Sequence, residues 1–283
     1  MREMTLGQYY PSNSSVHKLD PRIKFLLTIA YIIMVFFVNT FFVYGALFVL
    51  IIVVCLLAKV PLLRLFRTLR GILILMLITV ILTAVFSSGG EYAEPIASWW
   101  IFTIYIEGII AAGMLGCRLI LLILGPTLLT LTTTPVELTD GIERLLWPLS
   151  KIKIPVHEFA MIMSIALRFI PTLFEETDKI IAAQKARGAD FESGNIFKRI
   201  KALVPILIPL FINSFRRADE LADAMDSRCY NGSKGRTRMK VLKFRWRDLI
   251  AFLLVASIFF MVLLFRYNWW NCTWLTTFLG MVM

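Results

Sequence analysis

The chain has 283 residues, of which 58% are hydrophobic, and its mean hydropathy is +0.76. This composition excludes an ordinary soluble domain, because too few polar side chains are present to cover its surface. A net charge of +11 would suggest nucleic acid as the partner of a soluble protein, but in a membrane protein the placement of Lys and Arg sets the orientation instead. We therefore expect an all-α, polytopic integral membrane protein that contacts the lipid bilayer and no nucleic acid.

The N-terminal segment and the cysteines carry no sign of secretion or of a metal site. Residues 1–24 are too long and too polar before the first apolar run to form an ordinary signal peptide, so we expect them to be retained. The four cysteines are scattered and form no CxxC pair: Cys55, Cys117, Cys229 and Cys272. No disulfide framework and no bound metal are predicted.

Five apolar stretches are each long enough to cross the bilayer core of about 30 Å, if tilt and flanking side chains assist. They are residues 23–38, 43–58, 71–86, 105–129 and 249–265. Asn39-Thr40 forms a very short connection between the first two, so these should form an antiparallel pair. Residues 87–100 are predicted to form a loop that ends in two interfacial aromatic anchors, Trp99 and Trp100.

Positive charge sets the predicted orientation. The loops that should share one side carry Arg2, Lys18, Arg22 and Lys24, then Lys59, Arg64, Arg67 and Arg70, and then twenty further Lys or Arg between residues 135 and 247. The 87–100 loop carries two glutamates and no Lys or Arg. The positive-inside rule therefore places the N-terminus in the cytoplasm and the C-terminal tail outside.

Two further apolar runs, residues 159–174 and 202–215, are rejected as membrane spans. The first contains Arg168 and Pro171, and the second contains two prolines and is bracketed by basic residues. We predict instead cytoplasmic coupling helices over 155–187 and 196–228, after a short helix over 135–146 that Thr134 caps. The predicted organisation is a four-helix membrane region at 1–134, a coupling domain at 135–247, and a last span with an external tail at 248–283.

The coupling domain contains one short pattern twice, at a spacing of 41 residues. Phe174, Asp178, Ile180, Ala183 and Arg187 correspond to Phe215, Asp219, Leu221, Ala224 and Arg228. Each copy ends in an arginine beside a small residue, in the tips Ala186-Arg187-Gly188 and Ser227-Arg228-Cys229. Two ordinary amphipathic helices would also show such a pattern, and a C-terminal arginine gains about 0.3 to 1 kcal/mol from the helix dipole. Two such tips favour paired docking pins that reach acidic groups on a partner.

A more specific pattern surrounds the first tip. Ala182-Ala183, Gly188-Ala189, Phe197, Ile200 and Pro205 resemble the loop by which ABC importer permeases dock on their ATPases, with Ile181 where that loop has Glu. The chain as a whole resembles the transmembrane T component of energy-coupling factor (ECF) transporters of the prokaryotic cytoplasmic membrane. In that family each arginine tip enters a groove on one of two ATP-hydrolysing A subunits, and a membrane-embedded S component binds the vitamin or other micronutrient.

The resemblance implies a non-catalytic subunit with six docking residues, Ala186, Arg187, Gly188, Ser227, Arg228 and Cys229. Only the first tip keeps the family's Ala-Arg-Gly, whereas Ser227 and Cys229 depart from it. The sequence has no GxxxxGK[ST] loop, so ATP and Mg²⁺ are expected in the partner subunits and no cofactor in this chain.

Two other functions remain open on the sequence: a permease subunit of an ordinary ABC importer with its own substrate pathway, and an intramembrane enzyme. Arg118 is an intramembrane charge with either a functional or a structural role. His157 begins a pattern like that of a zinc protease helix, but Met161 stands where the second ligand belongs, so no metal site is predicted there.

Overall fold

The computed structural model describes residues 9–38, 40–86, 97–99, 102–152, 155–189, 191, 196–232 and 244–269. The α-helices in these ranges are α1 Pro21–Phe37, α2 Phe41–Ala58, α3 Leu62–Arg70, α4 Leu73–Phe86, α5 Ile106–Thr132, α6 Pro135–Leu146, α7 Val156–Ala186, α8 Ile196–Asp226 and α9 Trp246–Trp269. A 3₁₀ helix covers Trp147–Ile152. Two short antiparallel strands, β1 Ala97–Trp99 and β2 Phe102–Ile104, pair Ala97 with Ile104 and Trp99 with Phe102.

The helices agree closely with those expected from the sequence. α1, α2, α4, α5 and α9 fall on the five apolar stretches, and α6, α7 and α8 fall on the three predicted coupling helices. α3 and the β1–β2 pair were not predicted. The predictions for residues 87–96, Trp100 and the tail after residue 269 lie outside the described residues.

Among the described residues, four helices are long and apolar enough to cross a membrane: α2, α5, α7 and the Trp246–Leu264 part of α9. A fifth candidate is α3 with α4, a pair bent by 65°. α1 is a predicted span of 17 residues, or about 26 Å of helix. α7 meets the same criteria with a mean hydropathy of 1.3, against 2.2 to 3.0 for the other three. Its location outside the membrane therefore stays a prediction.

The chain divides into two compact units. The first, here called the core unit, contains the described residues of 7–142 and 242–283. The second, here called the tip unit, contains the described residues of 143–241. The core unit holds α1 to α5 and α9, and the tip unit holds α7 and α8.

The core unit packs around fully buried apolar side chains from α1, α2 and α5. Met34 and Val35, Leu47 and Cys55, and Leu121 have almost no exposed surface. α1 lies against both α5 and α9. A hydrogen bond also joins α1 to α5, since the hydroxyl of the buried Tyr31 donates to the Leu121 carbonyl oxygen at 3.1 Å.

Polar contacts tie together the helix ends at one side of the core unit. Asp20 caps α1 by accepting from the Arg22 N–H, and its own N–H donates to Asp248 Oδ1 in the first turn of α9 at 2.8 Å. Lys24 Nζ donates to the Thr132 carbonyl oxygen at the end of α5 at 2.9 Å. These contacts fix the relative positions of α1, α5 and α9, because each satisfies a buried polar group that would otherwise be unpaired.

Candidate docking site

Both predicted tips lie at the C-terminal ends of long helices of the tip unit. α7 ends at Ala186 with Arg187 as its C-cap, and α8 ends at Asp226, immediately before the second tip. The six tip residues are all exposed: Ala186, Arg187, Gly188, Ser227, Arg228 and Cys229. Within the part of the chain that the structure describes, the side chains of Arg187 and Arg228 form no ion pair or hydrogen bond. Both guanidinium groups are therefore available to a partner.

The same three backbone hydrogen bonds close both helices. At the first tip the N–H groups of Arg187, Gly188 and Ala189 donate to the carbonyl oxygens of Gln184, Lys185 and Gln184 at 3.1, 3.0 and 3.0 Å. At the second tip the N–H groups of Arg228, Cys229 and Tyr230 donate to those of Met225, Asp226 and Met225 at 3.1, 2.9 and 3.1 Å. Every donor and acceptor of the second set follows its counterpart by 41 residues. The sequence repeat is thus also a repeat of backbone geometry, in the form of a Schellman-type cap.

The third residue of each tip has a left-handed backbone conformation. Gly188 has φ of +86° and Cys229 has φ of +56°. Glycine adopts this region without steric cost, whereas an L-residue with a Cβ pays roughly 1 to 2 kcal/mol. The departure from Gly at Cys229 therefore leaves the turn of the second tip intact, at an energetic cost.

The two long helices contact each other through equivalent positions of the repeat. Arg217 of α8 forms an ion pair with Glu176 of α7, and these two residues are also 41 apart. Arg217 Nη1 donates to Thr172 Oγ1 at 2.9 Å, and the guanidinium lies 5.7 Å from the centroid of the Phe169 ring. Equivalent positions of the two copies of the repeat thus lie in direct contact.

The Glu176–Arg217 contact lies at the same distance along the chain from each tip. Arg187 follows Glu176 by eleven residues, and Arg228 follows Arg217 by the same number, which corresponds to about 16 Å of helix in each case. The two arms beyond the contact are therefore equal in length. The sequence analysis did not identify the Glu176–Arg217 pair, although opposite charges at equivalent positions of the repeat were the signal for it.

The charges beside the two tips differ in sign. Lys185 precedes Arg187 in the last turn of α7, whereas Asp223 and Asp226 precede Arg228 at the end of α8, and all three of these neighbours are exposed. Acidic side chains near a helix C-terminus oppose the helix dipole, so the stability of α8 does not explain them. The tips share one backbone geometry but present different electrostatic surfaces.

Most residues of the pattern that resembles the ATPase-docking loop are exposed as well, whereas Ala189 is half-buried. Ala182, Ala183 and Pro205 are accessible, and Phe197 and Ile200 keep 82% and 57% of their surface. α8 continues this face with a row of exposed apolar side chains: Leu203, Val204, Leu207, Ile208, Phe211, Ile212 and Phe215. On α7, Phe159 and Ile162 are also exposed. Such extended apolar surface on a folded unit indicates a contact with another protein or with lipid.

Comparisons with known proteins show which family the chain belongs to. Residues 12–240 match the model of the CbiQ family, whose description is cobalt transport protein. A Clostridium kluyveri protein named energy-coupling factor transporter transmembrane protein EcfT is 52% identical over 96% of this chain and 99% of its own length. The chain belongs to the EcfT family. EcfT proteins of Acidaminococcus fermentans and Listeria innocua are 49% and 44% identical, over 95% and 92% of this chain and 98% of their own lengths.

Membership of the EcfT family confirms the resemblance drawn from the chain as a whole, and the helices agree with the predicted all-α, multi-pass membrane fold. The region that matches the family model includes both tips and ends before α9 begins at Trp246. This EcfT-family chain is accordingly a membrane component of a transporter.

Arg118 of this EcfT-family chain contacts the C-terminal end of α1. Its Nε donates to the Tyr44 hydroxyl and its Nη2 to the Val38 carbonyl oxygen, each at 3.0 Å, and the Tyr44 hydroxyl donates to the same carbonyl at 2.8 Å. Val38 is the C-cap of α1, where a cation complements the terminal carbonyls. Of the two roles left open by the sequence, these contacts favour the structural one.

His157 contacts a carboxylate. Its Nδ1 lies 2.9 Å from Glu143 Oε1, so the side chain joins the end of α6 to the start of α7. Over the described ranges, no three His, Cys, Asp or Glu side chains come close enough together to hold a metal ion.

Proposed function

We propose that this chain is the T component of an ECF importer and couples ATP hydrolysis by two A subunits to movement of one S component. The observation that carries the proposal is the pair of tips. Each is an exposed arginine on the same hydrogen-bonded cap, and both are held by one chain at equal distances from a shared contact. A single chain with two such pins can fill the two pseudo-equivalent grooves of an ATPase dimer.

The arginines would supply the binding energy of these docks. A guanidinium that enters a partner's groove exchanges water for fixed carboxylate or carbonyl acceptors. Truncating a desolvated charge of this kind costs about 2 to 5 kcal/mol. The Gly188 and Cys229 turns direct the chain away from each helix, so that the arginine stands at the end of its arm.

α7 and α8 would transmit the movement of the A subunits to the membrane. When the A subunits close on ATP and open after hydrolysis, the two tips move relative to each other, and α7 and α8 respond about the Glu176–Arg217 contact. The exposed apolar faces of α7 and α8 are suited to packing against the S component. The S component would then reorient in the bilayer and release its vitamin or other micronutrient into the cell.

In this function the chain is not an enzyme, and ATP and Mg²⁺ belong to the A subunits. The chain would lie in the prokaryotic cytoplasmic membrane with a cytoplasmic N-terminus and an external C-terminus. The charge distribution supports this topology, since the basic segments fall on one predicted side.

The test is co-purification of ATPase subunits with the full chain from native membranes, together with uptake measured in the same cells. Arg187→Ala and Arg228→Ala should each weaken the complex, and the double variant should lose it and abolish uptake. Arg168→Ala and Arg216→Ala are matched controls, because these arginines are exposed on the same two helices but outside the tips. A double tip variant that assembles and transports normally would refute the docking role.

A further inference from the structure

α3 has two different faces. Leu65 is buried and Leu69 is half-buried in the core unit. Leu63, Phe66, Arg67 and Arg70 lie outside this buried face. The last three follow Leu63 by three, four and seven residues, so all four lie on one helix surface. All four are exposed, with 71% of Leu63 and 64% of Phe66 accessible. The outward face of α3 is therefore both apolar and basic.

The cations around α3 have no acidic partner among the residues that the structure describes. Between Pro21 and residue 90 the sequence contains no Asp or Glu, although it contains Lys59, Arg64, Arg67 and Arg70 in that interval. The Arg64 guanidinium lies 4.3 Å from the centroid of the Tyr10 ring. Across the ranges that the structure describes, none of these four side chains forms an ion pair. The described part of the chain therefore supplies no counter-charge to these cations.

The direction of α3 differs from that of the apolar helix after it. α3 and α4 meet at 65° around Gly71 and Ile72, where the Ile72 N–H donates to the Leu69 carbonyl oxygen three residues back. α4 is strongly apolar and has no charged residue. If α4 crosses the bilayer, α3 is inclined towards the membrane plane, where interfacial amphipathic helices lie.

We propose that α3 is an interfacial helix whose outward face binds the headgroups of anionic phospholipids. Arg67 and Arg70 contact the lipid phosphates, and Leu63 and Phe66 enter the boundary of the acyl region. Lipid fits better than an acidic protein, because the cations alternate with exposed apolar side chains and the helix is attached to the core unit through Leu65. The inference does not depend on the docking of the tips.

The test uses the full chain with its co-purifying subunits, placed in nanodiscs of phosphatidylcholine and phosphatidylglycerol in equal parts. Native mass spectrometry counts the phosphatidylglycerol that stays bound after release into detergent. The wild type should retain it in preference to phosphatidylcholine, and Arg67→Gln with Arg70→Gln should weaken this retention about fivefold for each arginine lost. Arg67→Lys with Arg70→Lys should keep it, because the positive charges remain.

Lys201→Gln with Arg216→Gln is the matched control, since it removes two exposed cations from α8. It should retain phosphatidylglycerol like the wild type. Equal retention by the wild type and the Arg67, Arg70 glutamine variant would overturn the proposal. Loss of a co-purifying protein from that variant, with phosphatidylglycerol retained, would also overturn it by assigning the face to a protein.

Discussion

Glu176 and Arg217 lie at equivalent positions of the repeat and form an ion pair with each other. The two side chains are 21% and 33% exposed, so removal of one leaves a poorly solvated charge on the other. We expect Arg217→Ala to lower the free energy of unfolding by about 1.5 to 3 kcal/mol, the contribution of a hydrogen bond to a charged group. The measurement is thermal unfolding of the purified chain in detergent.

The charge-swapped chain, Glu176→Arg with Arg217→Glu, controls for this change, because opposite charges remain at the two positions. It should recover part of the stability lost in the single variants, as a double-mutant cycle would show, although the Arg217 contacts with Thr172 and the Phe169 ring are lost. If the stability losses of the two single variants simply add in the double variant, the interaction between Glu176 and Arg217 contributes no stability. Arg216→Ala should have little effect, since its pair with Glu220 is highly exposed.

The turn of the second tip should be at least as stable when its left-handed residue, Cys229, is replaced by glycine. Cys229→Gly removes the Cβ at φ of +56° and should stabilise the turn by roughly 1 kcal/mol or leave it unchanged. Cys229→Val should destabilise it, because a β-branched residue is strongly disfavoured at positive φ. Hydrogen exchange of the Tyr230 amide, which donates to the Met225 carbonyl oxygen, would report both effects. Faster exchange in the glycine variant would contradict the assignment.

Close packing at Gly125 predicts a large effect from one methyl group. A Cβ there would lie 2.5 Å from Tyr31 Cε1, and Tyr31 is buried with its hydroxyl bonded to the Leu121 carbonyl. Gly125→Ala should therefore cost about 1 to 3 kcal/mol through overpacking. Gly45→Ala is the matched control, since nothing lies within 4 Å of its added Cβ, and it should gain about 0.5 to 1 kcal/mol. Equal melting temperatures for the two variants would be inconsistent with this packing.

His17 should make stability depend on pH. Burial lowers the pKa of His17 below its ordinary value of 6.5, and Lys24 acts in the same direction, whereas the hydrogen bond to the Tyr10 carbonyl and the Glu137 charge oppose the shift. The neutral ring fits its site: Nε2 lies 2.9 Å from that carbonyl oxygen, and Nδ1 lies 2.7 Å from the Ser14 hydroxyl.

A lowered pKa in the folded state means that the unfolded chain binds this proton more readily. The stabilisation from His17 is therefore complete above pH 6.5 and is lost as the pH falls through the lowered value. The difference in melting temperature between the wild type and His17→Gln should shrink between about pH 8 and pH 5. His157→Gln serves as a histidine control. A constant difference would show that His17 does not titrate in this way.

The helices were predictable because their signals are local. Thr134 precedes Pro135, and its hydroxyl oxygen accepts from the Glu137 N–H at 3.2 Å, as the N-cap pattern predicts. α7 ends where Gly188 permits a left-handed turn. The β1–β2 pair was missed, since strands of three residues are too short for alternation of polar and apolar residues to be visible.

The sequence by itself determined the membrane class, every helix position except that of α3, and the place of the two arginine tips in the chain, because hydropathy, capping and spacing act over one or a few turns of helix. Only the tertiary structure decided that Arg118 caps α1, that Asp248 binds the Asp20 N–H, and that Arg217 meets Glu176. These partners are far apart in the chain, so packing alone brings them together. The same packing leaves Arg187 and Arg228 exposed at the ends of equal arms.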